Sequence, residues 1–216
     1  MDIMIKIYLS ECANPILVQY LKAQRYEISY VNSTSATYAS ISSHPDIYLC
    51  KMGFRKVFYG NIDQLGFEYP DTAKFNAVVM GKYFIHNIKY TSKDLLEHAK
   101  RADKVVIDVP QGYTKCNMAI VGDYAAITSD LGIAAALQET EIDLLVIEPG
   151  HVCLQGQEHG FIGGASGLVG NEMIFHGNLS MHPDFDRIVE FVQRHGCELK
   201  YFEEFELEDI GSIIEF

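Results

Sequence analysis

Asn76-Ala-Val-Val-Met-Gly81-Lys-Tyr83-Phe-Ile-His86 lies in frame over Asn117-Met-Ala-Ile-Val-Gly122-Asp-Tyr124-Ala-Ala-Ile127, and both lie over Ala165-Ser-Gly-Leu-Val-Gly170-Asn-Glu-Met-Ile-Phe175. Each copy reads as an apolar strand, a tight turn on Gly and a polar residue, and a second apolar strand. Each is followed by a helical stretch and a third apolar run. A unit of this size cannot bury its own hydrophobic face, so neighbouring copies must complete a shared core. The repeat therefore predicts an α/β architecture of strand-strand-helix-strand units.

Working outward, Ser92 is placed to cap a helix expected over Lys93–Arg101, with a strand at Lys104–Asp108. Ser129 or Asp130 is placed to cap a second helix to about Glu139, with a strand at Asp143–Glu148. Ser180 or His182, with Pro183 behind it, is placed to start a third helix running to His195, with a strand at Leu199–Phe202. In that helix Phe185, Ile188, Val189 and Val192 make a one-sided stripe, so it should pack on a sheet. Towards the N-terminus the pattern gives a strand at Met4–Leu9, a helix from Asn14-Pro15 to about Gln24, and a short strand at Ile28–Val31. A polar loop follows at Asn32–Ser43. Asp46–Leu49 and Lys56–Tyr59 around Gly53 read as a fourth, divergent hairpin. The final Ile210–Phe216 is expected to be a strand returning to the N-terminal copy. Gly and Pro fall between elements and do not gather in a linker, so residues 1–216 read as one domain of about four to five repeats.

The chain has 216 residues, 48% of them hydrophobic, enough for one sizeable core. Its net charge of −12 argues against nucleic acid, whose phosphates require clustered Lys and Arg. Five cysteines with no C-x-x-C pair suggest a reducing compartment, with neither a disulfide framework nor a structural zinc site. Met1–Leu9 lacks the basic start and apolar stretch of a signal peptide, and no run approaches the ~18 apolar residues of a membrane span. A soluble, cytoplasmic protein without a membrane partner is the expectation.

Strand-strand-helix-strand units repeated about an axis resemble the pentein, or guanidino-group-modifying enzyme (GME), fold, a five-bladed α/β propeller. Ser43-His44-Pro45-Asp46, Gln111-Gly112-Tyr113-Thr114-Lys115-Cys116, the Gly160–Gly167 stretch and Gly177-Asn178-Leu179-Ser180 look like an uncharacterised family within that fold. The resemblance covers nearly the whole chain, with one blade partial or assembled from both termini. In such a propeller the first strand of each hairpin begins near the axis. Equivalent positions then converge on one cleft, bringing together His44, Asp46, Asn76, Cys116, Asn117 and Ser166.

Enzymes of this fold use a Cys nucleophile against the guanidinium carbon, a His as acid/base, and carboxylates that grip the guanidinium nitrogens. The resemblance thus implies a cysteine-dependent hydrolase or amidinotransferase-like enzyme for a guanidino or related C–N compound. Cys116 is then the nucleophile, His44 the acid/base, and Asp46 an acceptor or an orienter of His44. A thiol attacks only as thiolate, and a planar cation needs fixed acceptors for its N–H fork. Tyr113, Lys115, Asn76, Asn117, Gly163, Gly164 and Ser166 would line the ligand. Read as strand neighbours, Lys115 and Cys116 point to opposite faces. The alternative is a non-catalytic binder of a small polar ligand or a protein.

Two departures bear on the choice. Gly163-Gly164-Ala165 stands where relatives of the fold often carry Gly-Gly-Asp, so a gripping carboxylate is missing. The final Gly-rich stretch holds Ser166 where cysteine enzymes of the fold usually place their nucleophile. Gly160–Gly167 leads into a hairpin, so it is no dinucleotide fingerprint, and Leu168 stands where a G-x-S-x-G nucleophile elbow needs its last Gly. His151, Cys153 and His159 lack a fourth metal ligand at a compelling spacing. His182-Pro183-Asp184 reads as a helix cap. No metal and no cofactor are implied.

Overall fold

The computed structural model describes residues 5–216, so Met4 and the earlier part of the leader reading lie outside the described residues. Strands β1 (Lys6–Ser10) and β2 (Glu27–Val31) flank helix α1 (Pro15–Ala23), whose first-turn proline follows an N-cap, Asn14, that accepts from the Ile16 amide. A helical turn α2 (Pro45–Tyr48) leads into the hairpin β3 (Leu49–Gly53) and β4 (Lys56–Tyr59). Three full units then follow. The first is β5 (Val78–Met80), β6 (Tyr83–His86), α3 (Lys93–Arg101) and β7 (Val105–Asp108). The second has a helical turn α4 (Thr114–Asn117), β8 (Met118–Gly122), β9 (Ala125–Thr128), α5 (Leu131–Leu137) and β10 (Asp143–Val146). The third is β11 (Ser166–Val169), β12 (Glu172–Phe175), α6 (Phe185–Arg194) and β13 (Glu198–Lys200). The closing strand is β14 (Ile214–Glu215).

The strands form five small sheets, ordered β14-β1-β2, β3-β4, β5-β6-β7, β8-β9-β10 and β11-β12-β13. In each three-stranded sheet the first two strands pair antiparallel and the third runs parallel to the middle one. That is the geometry a tight turn followed by a helical crossover enforces. The first sheet is assembled from both ends of the chain, with β14 against β1.

The first strand of every unit is the edge of its sheet. β3 contacts β5, β5 contacts β8, β8 contacts β11, and β11 contacts β14. The starts of these strands are joined by hydrogen bonds that run full circle. Asn76 Nδ2 donates to Asp46 O at 3.1 Å, and Lys115 N to Asn76 O at 3.0 Å. Gly164 N donates to Cys116 O at 2.8 Å, Ser212 N to Gly164 O at 2.7 Å, and Asp46 N to Gly211 O at 3.1 Å. One layer away, Lys51 on β3 pairs with Glu215 on β14 at 3.6 Å.

Helices cover the outer strands and bury their stripes. α6 places Ile188, Phe191 and Val192 against Met173, Phe175 and Ile127. Each such side chain contributes about 1.5–3 kcal/mol by leaving water. Five of the expected elements are corrected. Asp46–Leu49 is a helical turn up to Tyr48, because Pro45 and Asp46 are first-turn residues, and the strand begins only at Leu49. Cys116 likewise lies in the helical turn α4 rather than at a strand start. Ser92 gives its hydroxyl to Gln64 Oε1 and makes no side-chain cap. α5 ends at Leu137, capped at its start by Asp130 through the Ile133 amide. Leu179–Met181 forms a separate 3₁₀ turn, so the third helix starts at Phe185.

Candidate functional site

The ring of strand starts holds a buried polar cluster. Asn76 organises it, being fully buried with every polar atom used. Its Oδ1 accepts from the amides of Lys115 (2.8 Å) and Cys116 (3.1 Å), which pins the turn α4. Its Nδ2 reaches Asp46 O and, at 3.2 Å, Cys116 Sγ. These bonds place the Cys116 thiol on Asp46, where it donates to Oδ2 at 3.1 Å. The same carboxylate oxygen receives the Ser212 hydroxyl at 2.7 Å. Ser212 Oγ accepts from Lys115 Nζ at 2.8 Å, and the Gly163 carbonyl lies within reach of both, at 3.0 and 3.3 Å. The result is one connected line, Lys115–Ser212–Asp46–Cys116.

A second carboxylate, Asp209, is buried beside it and fixed by the amides of Phe161 (3.0 Å to Oδ2) and Gly211 (2.9 Å to Oδ1). The His44 Nδ1 stands 3.6 Å from Asp209 Oδ1, outside hydrogen-bond range. Asp209 packs on Gly164 so closely that a Cβ at that position would collide with its carboxylate. Gly163 is pressed in the same way against the backbone of Lys115 and Met118. The two glycines are therefore required by the close approach of neighbouring chain segments. Among the described residues, His44 Nδ1, Asp46 Oδ1 and Thr37 Oγ1 are buried polar atoms without a hydrogen-bond partner.

Burial dominates the electrostatics. It pushes Asp209 up to about 6 against the pull of the Gly211 and Phe161 amides and of Lys115. Asp46 is raised by burial and by Asp209, with His44 opposing most strongly and Lys115 and Ser212 after it. His44 is driven down to about 4 by burial, so it is neutral near pH 7. Lys115 is lowered, again by burial, with both carboxylates holding it up. The Cys116 thiol is raised well above its ordinary value by burial first and then by Asp46 and Asp209. With both carboxylates ionised, two negative charges face the single ammonium of Lys115. That imbalance is costly in a buried site unless a proton or another cation relieves it.

The residues expected to converge do so in part. Asp46, Asn76, Lys115, Cys116 and Gly163 are joined directly, and Gly164 forms the wall against Asp209. Ser166 touches the cluster only at its edge, through the Gly163 carbonyl at 3.4 Å. Asn117 turns away and closes its own helical turn on the Tyr113 carbonyl at 2.9 Å. Tyr113 joins a neighbouring hydroxyl group, 3.1 Å from Tyr38 and bonded to Thr72. Lys115 and Cys116 do not diverge to opposite faces, because they lie on a helical turn and both reach the cluster. Asp209 and Ser212 were not anticipated. Asp209 brings a carboxylate against Gly164 from a distant part of the chain, beside the position where Ala165 lacks one. No repeat alignment finds it, since it precedes the shortest strand. His151, Cys153 and His159 form no metal-binding cluster, and no group of three such ligands occurs among the described residues.

The profile of one protein family covers residues 61–214, and thus Asn76, Lys115, Cys116, Asp209 and Ser212. The chain belongs to DUF6873, a family of unknown function. His44 and Asp46 lie before the part matched to DUF6873. No curated protein matches the chain. Nor does any solved structure. Among the described residues, no helix is long and apolar enough to cross a membrane.

Proposed function

We propose that this DUF6873 chain is a pentein-like α/β propeller whose buried acid cluster binds a small planar cation of the guanidino or a related C–N class. The propeller reading is supported by five edge strands in sequential contact, the circle of hydrogen bonds at their starts, and the Lys51–Glu215 pair between first and last. The observation that carries the binding reading is the charge imbalance of Asp46 and Asp209 against Lys115, together with the unused lone pairs of Asp46 Oδ1. A planar cation supplies both the charge and a fork of N–H donors.

Entry of that cation also bears on Cys116. Neutralising Asp46 and Asp209 removes the two charges that hold the thiol protonated. In the enzyme reading, Cys116 gives its proton to Asp46 and its sulfur bonds to the central carbon. The bond to the leaving amine then breaks as that proton is delivered to it, and water releases the carbon from sulfur. A specific observation favours the second reading, a non-catalytic binder. The thiol's partner is a carboxylate, and neutral His44 donates nothing to it in the resting arrangement.

Isothermal titration with methylguanidinium, agmatine and methylammonium tests the proposal. Binding of the two guanidino compounds, lost in Asp46→Asn and Asp209→Asn, supports it. Equal binding of methylammonium, or no binding at all, rejects it. Iodoacetamide kinetics with bound ligand separate the two readings. Faster alkylation of Cys116, with turnover of the ligand, marks the enzyme, and unchanged reactivity without turnover marks the binder.

A further inference from the structure

The five edge strands enclose a cavity of about 230 Å³ running from the turns of the hairpins down to Lys115. This is roughly the liquid volume of seven or eight waters. It is distinct from the acid cluster, which lies beyond Lys115 at the strand starts. Its wall is built from the repeat itself. Val79, Ile120 and Leu168 each stand two residues before the turn glycine of their own copy, and all three are only partly buried. Lys51 occupies the same place before Gly53, and Glu215 completes the layer, the two being paired with each other. Exposed Phe54 stands at the mouth.

We infer that this axial cavity is a second ligand site, for a small, largely apolar molecule whose carboxylate or carbonyl head accepts a hydrogen bond from Lys115. Three features select that chemistry. Three of the five side chains of that layer, Val79, Ile120 and Leu168, are aliphatic, and their residual exposure is what a bound apolar body would cover. The strands around them are all sheet edges, whose inward backbone groups suit occasional polar atoms on the ligand. At the floor, Lys115 Nζ has three donors and two acceptors within reach, Ser212 Oγ and the Gly163 carbonyl. Lys51 and Glu215 of the same layer are paired with each other, and Asp123 at the hairpin-turn end repels a carboxylate there, which directs the polar head to Lys115 at the base.

The site is tested by protein-observed NMR with linear carboxylates from acetate to octanoate and with the matching alcohols. Affinity is expected to rise roughly fourfold per methylene until the cavity is filled and then to level off. Carboxylates should outbind the alcohols, and Lys115→Met should erase that preference. Leu168→Trp and, as a milder filling, Ile120→Phe should abolish hexanoate binding while leaving methylguanidinium binding intact. Asp46→Asn should do the reverse, so failure at one site is distinguishable from failure at the other. Carboxylate affinity that ignores chain length, or hexanoate binding that survives a folded filling variant, overturns the inference.

Discussion

Asp209→Asn isolates the energetic consequence of burying a second carboxylate. In the folded protein burial lifts Asp209 from 3.8 to about 6, so between those values the folded state keeps a proton that the unfolded chain has lost. Stability attributable to this group is therefore present at low pH and lost as pH rises towards 6. Between pH 4.5 and 7.5 the loss spans about 1.5 pH units, or about 2 kcal/mol at 1.36 kcal/mol per unit. Asparagine cannot titrate. It also gives up one of the two acceptor oxygens that hold the Phe161 and Gly211 amides, at a cost of about 1–3 kcal/mol independent of pH. That constant cost cancels when the same pair of proteins is compared at two pH values. Urea unfolding of both at pH 4.5 and 7.5 should show the variant gaining about 2 kcal/mol on the parent as pH rises. A difference that stays flat across that interval would mean Asp209 titrates normally and is not part of a charge-strained cluster.

Three further outcomes follow from the same geometry. In the resting protein, exposed Cys12 and Cys153 should react with iodoacetamide first and Cys116 far more slowly, as mass spectrometry of the alkylated peptides would show; fast, selective labelling of Cys116 would contradict its carboxylate partnership. His176 is held neutral at about 4 because burial lowers it, with Nδ1 against Glu208 O and Nε2 accepting from the Asn14 amide, so its contribution is intact above 6.5 and lost on acidification. His176→Gln should flatten the acid side of the stability curve by up to about 1.4 kcal/mol per pH unit between 6.5 and 4, and an unchanged slope would refute this. Gly164→Ala should cost about 1–3 kcal/mol or more by overpacking onto Asp209, read as a drop in the urea midpoint, while a neutral effect would show the C-terminal segment is not seated there.

The α/β units were legible because a glycine turn between two apolar strands carries a period-2 signal and the helix after it a 3.6 signal. The closing strand was legible too, since the first sheet lacked a partner. Helical turns α2 and α4 were not, because four residues are too short for any periodicity. Misreading α4 as a strand start is what separated Lys115 from Cys116. The site was half visible: Asp46, Asn76 and Cys116 follow from repeat equivalence, whereas Asp209 and Ser212 sit in a segment with no repeat signature. Their placement depends on tertiary contacts with Gly164 and Gly163 that no spacing encodes. The burial of His86 and His176 is equally a property of packing.

A crystal structure of the protein soaked with methylguanidinium at pH 7.5 tests the cation site most directly. The expected result is planar density within about 2.7–3.2 Å of Asp46 Oδ1 and the Asp209 carboxylate, with the ring of strand starts unchanged. Ordered water in that place at saturating ligand, with Asp46 and Asp209 satisfied by it alone, would contradict the cation-binding reading.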